Sequence, residues 1–220
     1  MRERVFGAVA KAHACNLRRK AHIRPMTKPK LQDIPFLDGR LLVALPGMGD
    51  PRFEHSVVFI CVHSPEGAMG LIINKPAMDL KLSDLAQQLD LPDASAADRH
   101  LALVHMGGPV EHGRGFVLHS PDYTADENTM VVNTDFGMTA TLDILAEIAQ
   151  GNGPAKAQLM LGYAGWGPGQ LEAELQQNAW LICDASTKLV FNTPDDEKWN
   201  AALQSIGIDA RLLSGSGGRA

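Results

Sequence analysis

Cysteine is scarce in this 220-residue chain, and its three copies, Cys15, Cys61 and Cys183, form no C-x-x-C pair. An odd number without close spacing argues against a disulfide framework and a zinc knuckle and predicts reduced thiols in a cytoplasmic setting. No run approaches the roughly 20 apolar residues of a membrane helix, and no long apolar stretch supports a secretory signal. Also missing are the Lys-Ser/Thr of a Walker loop, the G-x-G-x-x-G fingerprint, the G-x-S-x-G nucleophile elbow and a helix-turn-helix pattern. No internal repeat is visible. What is present is a 45% hydrophobic composition, enough to bury a core in one large domain.

Charge is divided unevenly. The formal net charge is -5, but residues 1–35 hold nine Lys/Arg against two Asp/Glu, leaving 11 basic and 23 acidic residues in 36–220, a balance of -12. Such a body repels nucleic-acid phosphate over most of its surface. The basic segment 1–35 reads as a disordered extension, a targeting peptide, a nucleic-acid tail or upstream sequence ahead of a true start at Met26. Residues 36–210 read as a single domain, and 211–220 as a flexible tail.

Strands are expected at 40–46, 56–63 and 69–74, the last two as a hairpin, then at 102–106, 115–119, 129–133 and 157–163, with a closing pair at 180–183 and 188–191. Helices are expected over Leu82–Leu89 with Ser83 as N-cap, over Met138–Gln150 with Leu142, Leu145 and Ile148 on its apolar stripe, from Gln170 to about Asn178, and over Asp195–Ile206. Clustered strands mixed with helices favour an α+β fold with a largely antiparallel sheet.

Glycines concentrate in GYAGWGPGQLEAEL, from Gly162 to Leu175. Gly165, Gly167 and Gly169 suit a tight turn before a helix, with Trp166 as an apolar anchor. Amides at the start of that helix suit a phosphate or carboxylate, with Asn74, Arg114, Tyr163 and Gln170 as candidate ligand-binding residues, although Glu172 and Glu174 add opposing charge. The other reading is a packing device in which strand and helix approach closely. In DPRFEHS, either Asp50 caps a turn with Phe53 packed below, or the loop presents Asp50, Arg52 and His55 to a ligand. His63 and His119 are the candidate general bases, His63 with Glu66 nearby, each weighed against a structural histidine. Glu111, His112 and His119 lack a metal-ligand spacing, so no metal and no cofactor is expected. Ser64 and Ser120 stand beside histidines without a third partner.

Four segments, taken in order, carry a resemblance: DPRFEHSVVFICVHSPEGAMGLIINKP, GGPVEHGRGFVLHS, GYAGWGPGQLEAEL and the late NAW, LVF and KWNAAL run. Together they resemble the YqgE/AlgH family of bacterial proteins from about Asp38 to Ile208. The resemblance implies an α+β domain with a bifurcated, largely antiparallel, partly barrel-like sheet flanked by helices. It implies no reaction; one member's name reflects a proposed role in regulating alginate synthesis. The expected function is a binding or regulatory factor for a protein or small-molecule partner, with direct DNA binding through the acidic body disfavoured and no membrane association. The alternative is a small-molecule enzyme using His63 or His119 in a pocket formed by the DPRFEHS, GGPV and GYAGW loops.

Overall fold

β-Branched and aliphatic runs give the strands, and the computed structural model of the chain, which describes residues 35–78, 80, 84, 103–125 and 128–213, assembles nine of them into one curled sheet. In chain order they are β1 (Arg40–Ala44), β2 (Val57–Ser64), β3 (Gly67–Ile72), β4 (Val104–Met106), β5 (Val110–His119), β6 (Thr129–Val131), β7 (Gly137–Thr139), β8 (Ala157–Trp166) and β9 (Trp180–Asp184). Their spatial order is β6-β7-β5-β8-β3-β2-β1-β9, with β4 alongside β8. Every pairing is antiparallel except β4 with β8. Helices α1 (Asp143–Gln150), α2 (Gln170–Gln176) and α3 (Asp195–Ser205) flank the sheet, an α+β fold as expected.

The bifurcation lies on β8. Its first half pairs with β5 on one edge and β4 on the other, and its last three residues, Ala164 to Trp166, pair with β3. The chain runs from β4 into β5 directly over β8, and Gly107 and Gly108 make that crossing possible. A Cβ on Gly108 would sit 2.1 Å from the Tyr163 carbonyl carbon, and one on Gly107 2.3 Å from the Gly162 oxygen. Two of the glycine-rich motifs are therefore two sides of one backbone junction.

Three local readings are corrected, two of them by strand pairing. Residues 138 and 139 continue β7, with Met138 opposite Leu118, so α1 begins only at Asp143; it buries Ile144, Leu145, Ile148 and Ala149, while Leu142 is exposed. The expected strand at 188–191 is instead a single π-helical turn, Lys188–Asn192, which buries Leu189 and Val190; Ser186 starts it by accepting the Leu189 N–H on its hydroxyl. Strand β8 runs on through Trp166, so the turn before α2 is confined to Gly167–Gly169 and Gly165 is a strand residue opposite Met69. The helix expected over Leu82–Leu89 lies outside the described residues except for Asp84, as do the basic segment up to residue 34 and the tail from Ser214.

Helix α3 closes one face of the sheet. Its Trp199, Ala202 and Leu203 join Leu41, Phe59, Leu118, Phe136 and Met160 in a single core. Each large apolar side chain buried there contributes about 1.5–3 kcal/mol. The opposite face packs Val58, Ile60, Ala164, Trp166 and Trp180 against Leu171 of α2, and α1 covers Val104, Val117 and Leu159. Cys61 and Cys183 are free and buried. Strand β1 lies between theirs, a separation of roughly 9–10 Å at ordinary strand spacing, beyond disulfide reach. Burial pushes both thiols above their ordinary pKa, which keeps them protonated and unreactive.

Candidate functional site

The two candidate bases prove to be enclosed. His63 is buried, its Nδ1 accepting the Leu37 N–H at 3.2 Å and its Nε2 standing 3.0 Å from Glu172 Oε1. Because Nδ1 accepts, the neutral ring carries its proton on Nε2 and donates it to Glu172. The partner is Glu172 of α2, not Glu66, whose N–H instead bonds the Ser64 hydroxyl. His119 is fully buried at the end of β5. Its Nδ1 is 2.9 Å from the Ser120 carbonyl, which can only accept, so that nitrogen bears the proton. Its Nε2 accepts from the Thr139 hydroxyl at 3.0 Å, Thr139 from Thr129 at 2.8 Å, and Thr129 from the Ala125 N–H at 2.9 Å. The chain of donors fixes one tautomer. Ser120 spends its hydroxyl on Asp122, leaving no Ser–His dyad.

Burial pushes the His119 pKa below its ordinary 6.5, against the opposing pull of the Ser120 carbonyl and Asp122. The unfolded chain therefore takes up a proton at higher pH than the folded one, and the stability tied to neutral His119 is present above about 6.5 and lost as pH falls below it. His119→Asn is expected to lower stability at pH 7.5 by about 1–3 kcal/mol, since one of two buried bonds is strained or lost. It should also flatten the decline of the urea midpoint between about pH 6.5 and 5. An undiminished acid slope in the variant would exclude His119 as its source.

The glycine-rich segment is likewise closed. The indole N–H groups of Trp166 and Trp180 both donate to Glu174 Oε2, at 2.9 and 2.8 Å, and Gln170 donates to Oε1 at 2.9 Å. Gln170 also accepts the Gly167 N–H at 3.1 Å, so the side chain expected to face a ligand instead closes the turn that leads into its own helix. Asn74 is structural in the same sense, accepting the Val57 N–H and donating to the His55 carbonyl. Arg114 and Tyr163 both border Phe116, the guanidinium 5.1 Å above its ring and Tyr163 edge-on at 5.8 Å. The four candidate residues thus occupy three separate networks.

Arg114 belongs to a bulge in which Glu111 to Arg114 stand opposite Gly162 alone. All four bulge residues are exposed, and Glu111 holds a left-handed φ of 50°, a conformation costing about 1 kcal/mol or more. His112 projects there while His119 is buried at the far end of the strand, so the pair shares no site. Among the described residues no cluster of His, Cys, Asp or Glu is placed to hold a metal.

In DPRFEHS the turn reading holds: Asp50 caps the backbone N–H of Arg52, and Phe53 packs edge-on to Trp180 at 5.5 Å. The loop also meets α3, where the His55 ring lies tilted against Trp199, centroids 4.4 Å apart. Beneath it lies a buried charge relay that carried no sequence signal. Lys198 donates to the Ile73 carbonyl and to Asp195 Oδ1, each at 2.8 Å, and Asp195 Oδ2 lies 3.1 Å from His105 Nε2. The loop contributes a recess of about 230 Å³ lined by residues 45–51 and Glu54, which neither GGPV nor GYAGW reaches.

A wider cleft, about 520 Å³, lies at the other end of α3 between Asn200 and Gln204 and the returning segment Gly207 to Arg211. Gly207 builds it. Its φ of 76° lets its N–H bond Gln204 and the Ile208 N–H bond Leu203, turning the chain back along the helix. Asp209 then caps the Arg211 N–H and grips its guanidinium at 3.0 and 2.6 Å. The i, i+4 spacing of Asn200 and Gln204, each one residue after buried Trp199 and Leu203, is the one sequence cue to this surface.

These features can be set beside known proteins. The family model described as AlgH-like, DUF179, matches residues 41–211, and a UPF0301 protein of Ruegeria pomeroyi is 61% identical over 184 residues, covering 84% of this chain and 99% of its own. The chain belongs to the AlgH-like family. A UPF0301 protein of Cereibacter sphaeroides is 54% identical to this AlgH-like chain with the same coverage. The solution structure of the AlgH protein from Pseudomonas aeruginosa superposes with a TM-score of 0.69 at 38% identity, covering 89% of this chain and all of that one. Protein DIP2367 from Corynebacterium diphtheriae, 20% identical with a TM-score of 0.62 over 81% of this chain and 89% of its own, shares the fold. The curled sheet of this AlgH-like chain is thus shared with both solved structures.

Proposed function

We propose that this AlgH-like chain works as a binding or regulatory factor, and that neither His63 nor His119 acts as a general base. The observation that carries this reading is the enclosure of His63 and His119: each is buried with both ring nitrogens bonded inside the fold, and neither lines the clefts at residues 45–54, 184–206 or 200–211. A general base needs a nitrogen free to reach the proton it removes. The surplus of acidic residues in 36–220 supports a protein or small-molecule partner over nucleic acid. Two protonated, buried thiols are in keeping with a reducing, cytoplasmic setting, and no helix among the described residues is long and apolar enough to cross a membrane.

A panel of chromogenic esters, phosphate monoesters and glycosides tests the reading against the parent chain and the His63→Gln and His119→Asn variants. No turnover above buffer is expected. Turnover by the parent that disappears in either folded variant would overturn it.

A further inference from the structure

We propose that the cleft between α3 and residues 207–211 binds an extended, basic peptide segment of a partner protein by its main chain. The proposal rests on the reading of the chain as a binding factor and gives that reading a surface and a partner chemistry.

The cleft offers hydrogen bonding without net charge. Asn200 and Gln204 are exposed, neither carboxamide has an internal partner among the described residues, and each presents a donor and an acceptor side by side. One helical turn separates them, about 5–6 Å between Cβ atoms, and their flexible stems let the carboxamides spread slightly further. An extended chain presents the N–H and C=O of alternate residues along one edge, spaced about 6.6–6.8 Å. Two carboxamides one turn apart therefore match two peptide groups two residues apart, and each can pair with both groups of its residue. Ile208 and Ala210, half-buried, supply an apolar wall for a side chain of the bound segment.

Charge selects among peptides. Arg211 is neutralised by the two-point grip of Asp209, so the cleft has no uncompensated cation for a phosphate or carboxylate. The ridge of α3 that carries Asn200 continues one turn back to Asp196 and Glu197, both exposed. A Lys or Arg beyond the main-chain contacts meets these carboxylates, and acidic peptides are repelled by them.

The test uses the full chain. A phage-displayed library of linear peptides is panned against the parent and against an Asn200→Ala/Gln204→Ala variant, and enriched peptides are titrated into labelled protein by NMR. The expected result is enrichment of Lys/Arg-containing peptides, with shifts confined to residues 196–211. Affinity should fall at least about tenfold in the double variant and in peptides N-methylated at alternate residues. Both substitutions are at exposed positions, so an unchanged thermal midpoint confirms that the variant is folded. Failure to enrich any peptide, affinity indifferent to the double variant or to N-methylation, or shifts elsewhere would each overturn the proposal. So would saturable shifts at 200–211 with adenosine alone, which would assign the carboxamides to a nucleobase. Turnover lost with His63 or His119 would count against the binding-factor reading while leaving peptide capture intact, so the two fail separately.

Discussion

Asp195→Ala is expected to cost about 3–5 kcal/mol of folding stability, because it strands a buried ammonium. Lys198 has a side chain only 1% exposed and two acceptors, the Ile73 carbonyl and Asp195. Removing the carboxylate leaves the charge with one neutral acceptor. It also strips the His105 ring of its one hydrogen-bond partner among the described residues, since Nδ1 already has none there. Burial raises the Asp195 carboxyl, but the bonds from His105 and Lys198 outweigh it and hold the carboxyl below the ordinary value; burial pulls Lys198 below its usual 10.5 despite the attached carboxylate.

The sign of the pH effect separates charge burial from lost packing. Without Asp195 the folded-state pKa of Lys198 falls further, so the unfolded chain binds the extra proton between that value and 10.5 and stability rises with pH. The deficit of Asp195→Ala relative to the parent should therefore shrink from pH 7 toward pH 10. Lys198→Met removes the charge itself, leaves Asp195 paired with His105, and should cost less, about 1–2 kcal/mol. Urea unfolding followed by tryptophan fluorescence measures all three, with Trp199 adjacent to the relay. A loss below about 1 kcal/mol in Asp195→Ala, or a larger loss in Lys198→Met, would show that the relay does not hold α3 in place.

Gly108→Ala is expected to prevent recovery of folded protein, or to cost about 4 kcal/mol or more where some folds. The atoms its methyl would meet are backbone: the Tyr163 carbon at 2.1 Å, its oxygen at 2.2 Å and the Ala164 nitrogen at 2.3 Å. No rotamer change relieves such a clash, and β8 moves only by breaking its pairing with β3 or β5. Gly113→Ala is the control. Gly113 lies six residues after Gly107 in the exposed bulge, has nothing within 4 Å of a built methyl, and should stay within about 0.5 kcal/mol of the parent. Soluble yield, far-UV circular dichroism and thermal midpoint report on both. A Gly108→Ala protein melting within about 4 °C of the parent would mean that the crossing is looser than the geometry demands.

The local part of this fold was legible because strands and helices announce themselves within short windows. The β2–β3 hairpin, the start of α3 under Asp195, Asp196 and Glu197, and the order of the family motifs all follow from runs of neighbouring residues. The misread segments are those where a distant partner decided. Residues 138 and 139 look helical until Leu118 and Val117 pair with them, and Lys188–Asn192 looks extended until its apolar residues are drawn under α3.

The amino-acid sequence by itself determined an α+β chain of the AlgH-like family with scattered cysteines, an acidic body and a glycine-marked junction, since each of these is written in composition, spacing or motif order. Tertiary structure alone decided what the polar residues do. Glu172 seals His63 from 109 positions away, Asp195 reaches His105 across 90, and the carboxylate of Glu174 is consumed by two indoles from different strands. Side-chain chemistry names the bonds a residue is able to make, but only the curl of the sheet sets which partner arrives. That arrival closed the pocket suggested by the glycines and left open the cleft at the far end of α3.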